Sequence, residues 1–429
     1  MLNNDFYFNN CGKGIMNLKF NTYKIIFFTV CLFFPTILVA QNIGISFNGF
    51  VKTDVIYDTR QNLSLREGHF LLWPLAERLD NNGDDINNKY NFNILSIQTR
   101  LQSNITGPEV FSAKTSAYVE AEFFGSADAS INSLRLRHAY VDIDWISTKI
   151  RAGQFWHPFF NTDCFPGTVS FNTGVPFQPF GRYPQLRIVQ KIADVSLTAA
   201  AITQRDFASF GPEGNSSIYL RNTGIPELFL GLQYTNPAFL IGAGAEYKML
   251  TPRLFTAGTE GKTYKTAEKV ASIAANAYTK ISTGDFTAKL YGVYGQNLVD
   301  LLLPSGYVVK EFDPVTGAET YSPLNNLSVW TDLAYGKKIE AGVYAAYGKS
   351  LGTDENTMTN TVYGRGTDIK SLIRVSPRLV FNEGKFRTAL EVEYTAAEFG
   401  KMNNNDKNLI DETTKVNNLR ILLAFYMFF

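Results

Sequence analysis

From Gly44 onward the chain repeats one pattern: a stretch of alternating apolar and polar residues, then a turn or a polar loop. In GISFNGFVKTDVIYDTR, starting at Gly44, Ile45, Phe47, Val51, Val55 and Tyr57 share one parity, and Ser46, Asn48, Lys52, Asp54 and Asp58 share the other. Around NILSIQTRLQSNI, Leu95, Ile97, Leu101 and Ile105 oppose Ser96, Gln98, Arg100 and Gln102. In AKTSAYVEAEFFG, Ala117, Val119, Ala121 and Phe123 oppose Ser116, Glu120 and Glu122. AFLIGAGAEYKM and KFRTALEVEYTA follow the same rule. Period two predicts strands with one apolar and one polar face. Less regular stretches at Asp194–Thr203, Glu227–Tyr234, Val270–Ile281, Phe286–Tyr294, Leu327–Tyr335, Ala341–Tyr347 and Ile369–Phe381 read as further strands.

The last residues, NNLRILLAFYMFF, sharpen the reading. Leu419, Ile421, Leu423, Phe425, Met427 and Phe429 make one wholly apolar face, while the other mixes Asn418 and Arg420 with Leu422, Ala424, Tyr426 and Phe428. A soluble sandwich with this many strands would need two cores and a linker, and no Pro/Ser-rich break divides the chain. A closed transmembrane barrel needs neither, because its apolar face meets lipid, its polar face meets a water-filled lumen, and closure satisfies the backbone. The fold class expected is therefore all-β, an antiparallel transmembrane barrel of sixteen strands, with fourteen and eighteen as the even-numbered alternatives. Tyr57, Phe123, Trp145, Tyr247 and Tyr394, near strand ends, fit interfacial girdles.

Composition adds the compartment. Aromatic residues make up 14% of the chain, with 34 Phe and 22 Tyr. One apolar run, Ile25–Val39, follows Lys19 and Lys24 and is closed by Ala40, the layout of a secretory signal peptide and too short to span a membrane. Residues 1–40 are expected to be this signal, with Met16 a more natural start than Met1, and residues 41–429 the barrel. The first strand follows at once, so no plug domain is expected before it. Cleavage removes Lys13, Lys19, Lys24 and Asp5 from 40 basic and 39 acidic residues, leaving the mature chain close to neutral. No polybasic surface results, which argues against a nucleic-acid partner. Only Cys164 of three cysteines survives cleavage, so no internal disulfide is available.

The segment RAGQFWHPFFNTDCFPGTVSFNTGVPFQPFGRYPQLRIVQK stands apart. Between Trp156 and Pro184 it carries Pro158, Pro166, Pro176, Pro179 and Pro184 among many aromatics. Proline removes ladder donors, which excludes the segment from a wall. It is also too long for a hairpin turn and too apolar for a solvated loop. A loop folded back into the lumen satisfies all three facts, with Trp156, His157 and Asp163 as constriction residues.

GFVKTDVIYDTR at Gly49, LRLRHAYVDI at Leu134, AGQFWHPF at Ala152 and RYPQLRI at Arg182 resemble the early strands of Gram-negative outer-membrane porins, most closely the DcaP-like (dicarboxylate) and phosphate-selective porins. The terminal Phe429 resembles the assembly signal of such barrels. The resemblance covers roughly the first 150 mature residues and implies a sixteen-stranded homotrimer in the outer membrane. It also implies an inward-folded third loop and insertion by the barrel assembly machinery. The partners implied are outer-membrane lipids and small hydrophilic solutes.

Candidate lumen chemistry follows from parity. Arg135 and Arg137 share a face, whose parity slips further along and requires a bulge near Ala139. Arg151 lies on the adjacent strand, Arg182 and Arg187 close the loop, and Lys52, Asp54 and Arg100 belong to polar faces. Clustered guanidinium groups in a narrow pore favour anions such as dicarboxylates or phosphate. The opposing reading is that they pair with Asp54, Glu120 and Glu122 in a neutral ladder. His69, His138 and His157 lack metal spacing and read as structural, Cys164 reads as a small buried residue, and no cofactor is expected. The function expected is a passive channel rather than an enzyme. The alternative is a structural or adhesive barrel whose lumen is filled, with Tyr118, Tyr278 and Trp330 facing inward.

Overall fold

The structure, a computed structural model, describes residues 43–429, so the expected signal peptide lies outside the described residues. Among the described residues sixteen antiparallel strands form a closed wall. In chain order these are β1 Gly44–Asp58, β2 in two segments Asn91–Leu95 and Arg100–Thr106, β3 Lys114–Phe123 and β4 Leu134–Asp144. Next come β5 Thr148–Trp156, β6 Arg182–Ile192, β7 Val195–Ile202, β8 Glu227–Thr235, β9 Phe239–Leu250 and β10 Val270–Thr283. The wall is completed by β11 Phe286–Gln296, β12 Asn325–Gly336, β13 Ile339–Gly352, β14 Ile369–Glu383, β15 Phe386–Asn403 and β16 Leu409–Phe428. Both segments of β2 pair with β1, which is why they count as one wall position.

Closure is made by the two ends of the chain. β16 lies antiparallel to β1, with Phe50 opposite Phe428 and Asp58 opposite Arg420. Phe429 completes the ladder, donating its N–H to Gly49 O at 3.1 Å and accepting from Gly49 N at 3.3 Å. Gly49 is required there, since a Cβ would stand 2.2 Å from the Arg100 carbonyl oxygen and 2.8 Å from the Phe429 ring. Tight turns such as Thr283–Phe286 and Glu383–Phe386 lie at the same end as the start of β1 and the end of β16. The long loops lie at the opposite end, the arrangement of short periplasmic turns and longer external loops found in outer-membrane barrels.

Side-chain alternation follows the parity read from the sequence except around β2, where the break between Leu95 and Arg100 turns Leu95 and Ile97 inward while Leu101 faces out. In β16 Ile421, Leu423, Phe425 and Met427 are exposed on the outer surface, while Asn418, Arg420, Leu422 and Ala424 are buried inside. The exterior is an apolar belt that includes Leu101, Leu186, Leu230, Ile273, Leu290 and Leu379, and in a membrane it meets lipid. The parity slip in β4 is the bulge expected near Ala139, and it falls at Arg137–His138. Glu120 pairs with His138 while Ala121 pairs with Leu136, so Arg137 and His138 are both buried. Pro184 corrects the expected loop boundary. It is the third residue of β6, opposite Gln154, and the loop ends before Arg182. Its carbonyl accepts Thr203 N–H near the start of the strand, where the loss of one ladder donor is tolerated.

The core sits inside the wall. Phe70, Phe124, Phe159, Phe171, Phe177, Phe180 and Phe207 are buried in one cluster together with inward-facing Tyr278, Tyr291, Trp330 and Tyr344. Much of the interior is therefore packed rather than water-filled.

Deleting Phe429 removes one closing ladder pair and an apolar ring at the seam. The expected outcome is a severalfold smaller heat-modifiable fraction in outer-membrane preparations, scored on unheated gels; wild-type assembly of that chain would contradict the closure role.

Candidate pore constriction

The segment between Trp156 and Arg182 leaves β5, crosses the interior and returns as β6. Its root is closed by His157 N–H donating to Gly181 O at 2.9 Å and by Trp156 stacked on Phe160, centroids 3.9 Å apart. A peptide inside a barrel loses water and must find other partners. Side chains of the far wall supply them. Glu391 of β15 accepts the N–H groups of Val169 and Ser170 at 2.6 and 3.1 Å. Asp332 of β12 accepts Gly167 N–H at 2.6 Å and is itself held by Arg378 at 2.6 Å. Lys289 donates to Phe165 O at 2.8 Å, Tyr291 to Phe159 O at 2.9 Å and Tyr344 to Gly174 O at 3.0 Å. Trp330 Nε1 donates to Gln178 Oε1 at 2.7 Å, and Arg374 donates to Val175 O. At Gly174 the backbone has φ +83, and a Cβ would lie 2.7 Å from Pro166, so only glycine makes this bend.

A second loop joins the first, one that sequence reasoning missed. The hairpin Asn62–Leu65 with Phe70–Pro74, between β1 and β2, is tucked inside, and every residue of FLLWP is buried. Leu71 N–H donates to Asn172 Oδ1 at 2.7 Å, and Phe70 meets Phe171 and Phe180 edge to face at 4.6 and 5.2 Å. Five consecutive apolar residues between two charged stretches were the signal available in the sequence.

The charged residues come together, but as pairs. Arg137 bonds Glu120 through Nε and Glu122 through Nη1 at 2.7 Å. Arg135 bonds Glu122 at 2.6 Å and Asp206 at 3.3 Å, and Arg100 bonds Glu122 at 3.2 Å. Arg182 bonds Asp206 at 2.5 Å. Four guanidinium groups thus share three carboxylates, one of them from a loop. Arg151 is bidentate to Asp142, both contacts 2.7 Å. Lys52 and Asp54 are fully buried and pair at 3.1 Å; Lys52 also donates to Val169 O at 3.0 Å, and Asp54 accepts from His69 at 2.6 Å. These two lie beneath the loop instead of on an open pore surface.

Arg187 and Arg387 differ. Neither forms an ion pair among the described residues. Arg187 donates to Gln185 Oε1 at 2.9 Å and Trp156 O at 2.6 Å, and Arg387 to Asn382 Oδ1 at 2.7 Å beside the Tyr426 and Phe428 rings. Each lines a cavity against the loop. One, about 240 Å³, is bounded by Arg187, Lys191, Asn161, Asp163 and Gln233. The other, about 380 Å³, is bounded by Arg100, Arg137, Arg387, Gln98 and Thr168. Phe160 and Thr162 line both.

The remaining candidates are placed as follows. Asp163 accepts from Gln233 at 3.1 Å at the rim of the smaller cavity. Trp156 lines the larger cavity beside Arg137, its ring within 5.7 and 5.3 Å of the Arg137 and Arg182 guanidinium groups. Cys164 is buried, and burial pushes its thiol up to about 11, so it stays protonated and unreactive. His157 does not face the pore; it packs behind the root against Glu227 and Glu246.

A closed sixteen-stranded wall, apolar outside, with an internal loop across its lumen is the architecture of outer-membrane porin channels. No family model and no curated protein matches the sequence. Solved structures do match the fold. The outer-membrane channel DcaP of Acinetobacter baumannii shares 15% identity at a TM-score of 0.66, over 90% of this chain and 98% of that one. The trimer form of OmpT, an outer-membrane protein of Vibrio cholerae, shares 12% at 0.52, over 90% and 100%. An anion-selective porin from Comamonas acidovorans shares 10% at 0.51, over 90% and 100%.

Two outcomes follow. Arg137→Gln leaves Glu120 and Glu122 buried with less compensation, a cost of about 3–5 kcal/mol, so the heat-modifiability midpoint should drop clearly while reversal potentials in a salt gradient stay nearly unchanged. Glu391→Ala strands two buried N–H groups at about 1–3 kcal/mol each, and should free the loop tip for cleavage by added protease in otherwise folded barrels.

Proposed function

We propose that this chain is a passive outer-membrane channel for small hydrophilic solutes, favouring anions such as dicarboxylates or phosphate, and working as a homotrimer inserted by the barrel assembly machinery. The observation that carries the reading is the pair of cavities flanking the constriction loop, each bordered by a guanidinium without a carboxylate partner. A fixed cation on a low-dielectric wall raises the local anion concentration, and a guanidinium can grip a carboxylate or phosphate through two donors. Selectivity on this reading rests on Arg187, Lys191 and Arg387 more than on Arg135 and Arg137, whose charge is spent on Glu120, Glu122 and Asp206. The likeness in fold to the anion-selective Comamonas porin and to the trimer form of the Vibrio protein supports the charge preference and the assembly.

One observation favours a second reading, a structural or adhesive barrel. The Phe70–Pro74 hairpin and the buried stretch Leu298–Leu303 fill much of the loop end. Planar-bilayer recording separates the two. Stable open steps are expected for the channel, and excising residues between Pro158 and Pro179 should raise the step severalfold. Arg187→Gln with Arg387→Gln should move reversal potentials toward cations by a measurable shift. A protein that inserts and never conducts, before and after excision, would reject the channel.

A further inference from the structure

His157, at the root of the constriction loop, faces two glutamates from neighbouring wall strands, Glu227 at the start of β8 and Glu246 in β9. Its Nε2 lies 3.1 Å from Glu246 Oε2 and 4.0 Å from Glu227 Oε2, and the three atoms lie within 4.8 Å of one another. The side chains are 0%, 2% and 0% exposed for His157, Glu246 and Glu227. Glu227 Oε2 has no hydrogen-bond partner, and His157 Nε2 and Glu246 Oε2 have no partner but each other.

The charge here does not balance. Gln204 donates to Glu227 Oε1 at 2.6 Å and to Asp300 Oδ2 at 3.1 Å, tying a third buried carboxylate to the group. Lys248 is the cation that meets them, bonded to Asp300 Oδ1 at 2.5 Å. Three carboxylates face one ammonium and one imidazole in a pocket that excludes water, which leaves one negative charge if the ring is protonated and two if it is neutral. Such a surplus is tolerated only with added protons or a bound cation.

We propose that His157, Glu227 and Glu246 bind one first-row divalent cation of the zinc class, which fastens the root of the constriction loop to the wall. Two charges on one ion cancel the surplus with the imidazole neutral. One imidazole nitrogen and two carboxylate oxygens form a borderline donor set that suits Zn²⁺, whereas Ca²⁺ wants six to eight oxygens. With bonds of about 2.0–2.2 Å, donors around a tetrahedral ion stand roughly 3.4 Å apart. The 3.1 Å pair opens slightly and the 4.0 Å pair closes, both within side-chain adjustment, and a water takes the fourth place. One contact must yield. Phe159 N–H approaches Nδ1 at 3.3 Å, and an ion on Nε2 leaves the ring proton on Nδ1, so the ring turns to open this long contact. Nothing in the proposal requires that the barrel conduct.

The test uses the full chain, without a polyhistidine tag, extracted from outer membranes in detergent without chelator, incubated with Zn²⁺ and desalted. Elemental analysis should find about one zinc per chain. The double variant Glu227→Gln, Glu246→Gln should hold less than a tenth of that, with folding verified by heat-modifiability. X-ray absorption of the zinc-loaded wild type should show an imidazole nitrogen with oxygen neighbours, and this measurement stands even where the double variant fails to fold. Absence of zinc from the wild type, equal zinc in a folded double variant, or a first shell without imidazole would each overturn the proposal.

Discussion

A chain that crosses the inside of a barrel must have every peptide group met by something other than water, and this constraint organises the interior. The wall meets it with long polar side chains aimed inward: Glu391 and Asp332 take N–H groups of the loop, while Lys289, Tyr291, Tyr344 and Arg374 serve its carbonyls. These anchors come from β11 to β15, opposite the strands that launch the loop. The segment is thus a strut held at both ends, not a flap. Its position cannot change without stranding several buried donors and acceptors together, each costing about 1–3 kcal/mol.

The same constraint decides what the arginines do. A guanidinium taken out of water needs partners that replace it, and β3 offers Glu120 and Glu122 to Arg100, Arg135 and Arg137 on the two flanking strands. Charge density alone therefore says little about selectivity, because most of the positive charge is cancelled within hydrogen-bond distance. What remains for a solute is the surplus. It is carried by groups that lean on amides, carbonyls and rings, as Arg187 and Arg387 do.

The wall was legible because period two, once in register, fixes which residues face lipid, and every less regular stretch named from the sequence lies in a wall strand. The internal loop was legible because proline and aromatics together fit neither wall nor solvent. Pro184 near the start of β6 and Pro377 inside β14, where the ladder to β15 skips from Val375 to Arg378, mark the limit of that rule. Pairing was not legible. Whether Arg137 meets Glu120 depends on the offset between β3 and β4 and on a bulge, and Asp206 arrives from a loop whose path no periodicity describes. His157 met Glu227 and Glu246 across three elements distant in sequence, so spacing carried no trace of it. The buried FLLWP hairpin was hidden because its five apolar residues suit a core of any kind.

Size and charge are handled by different atoms in this interior. Phe160 and Thr162 line both cavities, and the Phe160 ring stacks with Trp156 and with Phe165. Aromatic faces present no donor that could replace a solute's hydration, so they set a width and little else. The guanidinium groups stand on either side of that stack instead of within it. On the anion-channel reading proposed above, a solute would be held beside the aromatic stack and not within it, where tight capture would block passage. Conduction requires binding strong enough to enter and weak enough to leave. Separating the apolar restriction from the flanking charges meets both demands with one loop, provided its strut-like anchorage keeps the aromatic stack centred between them.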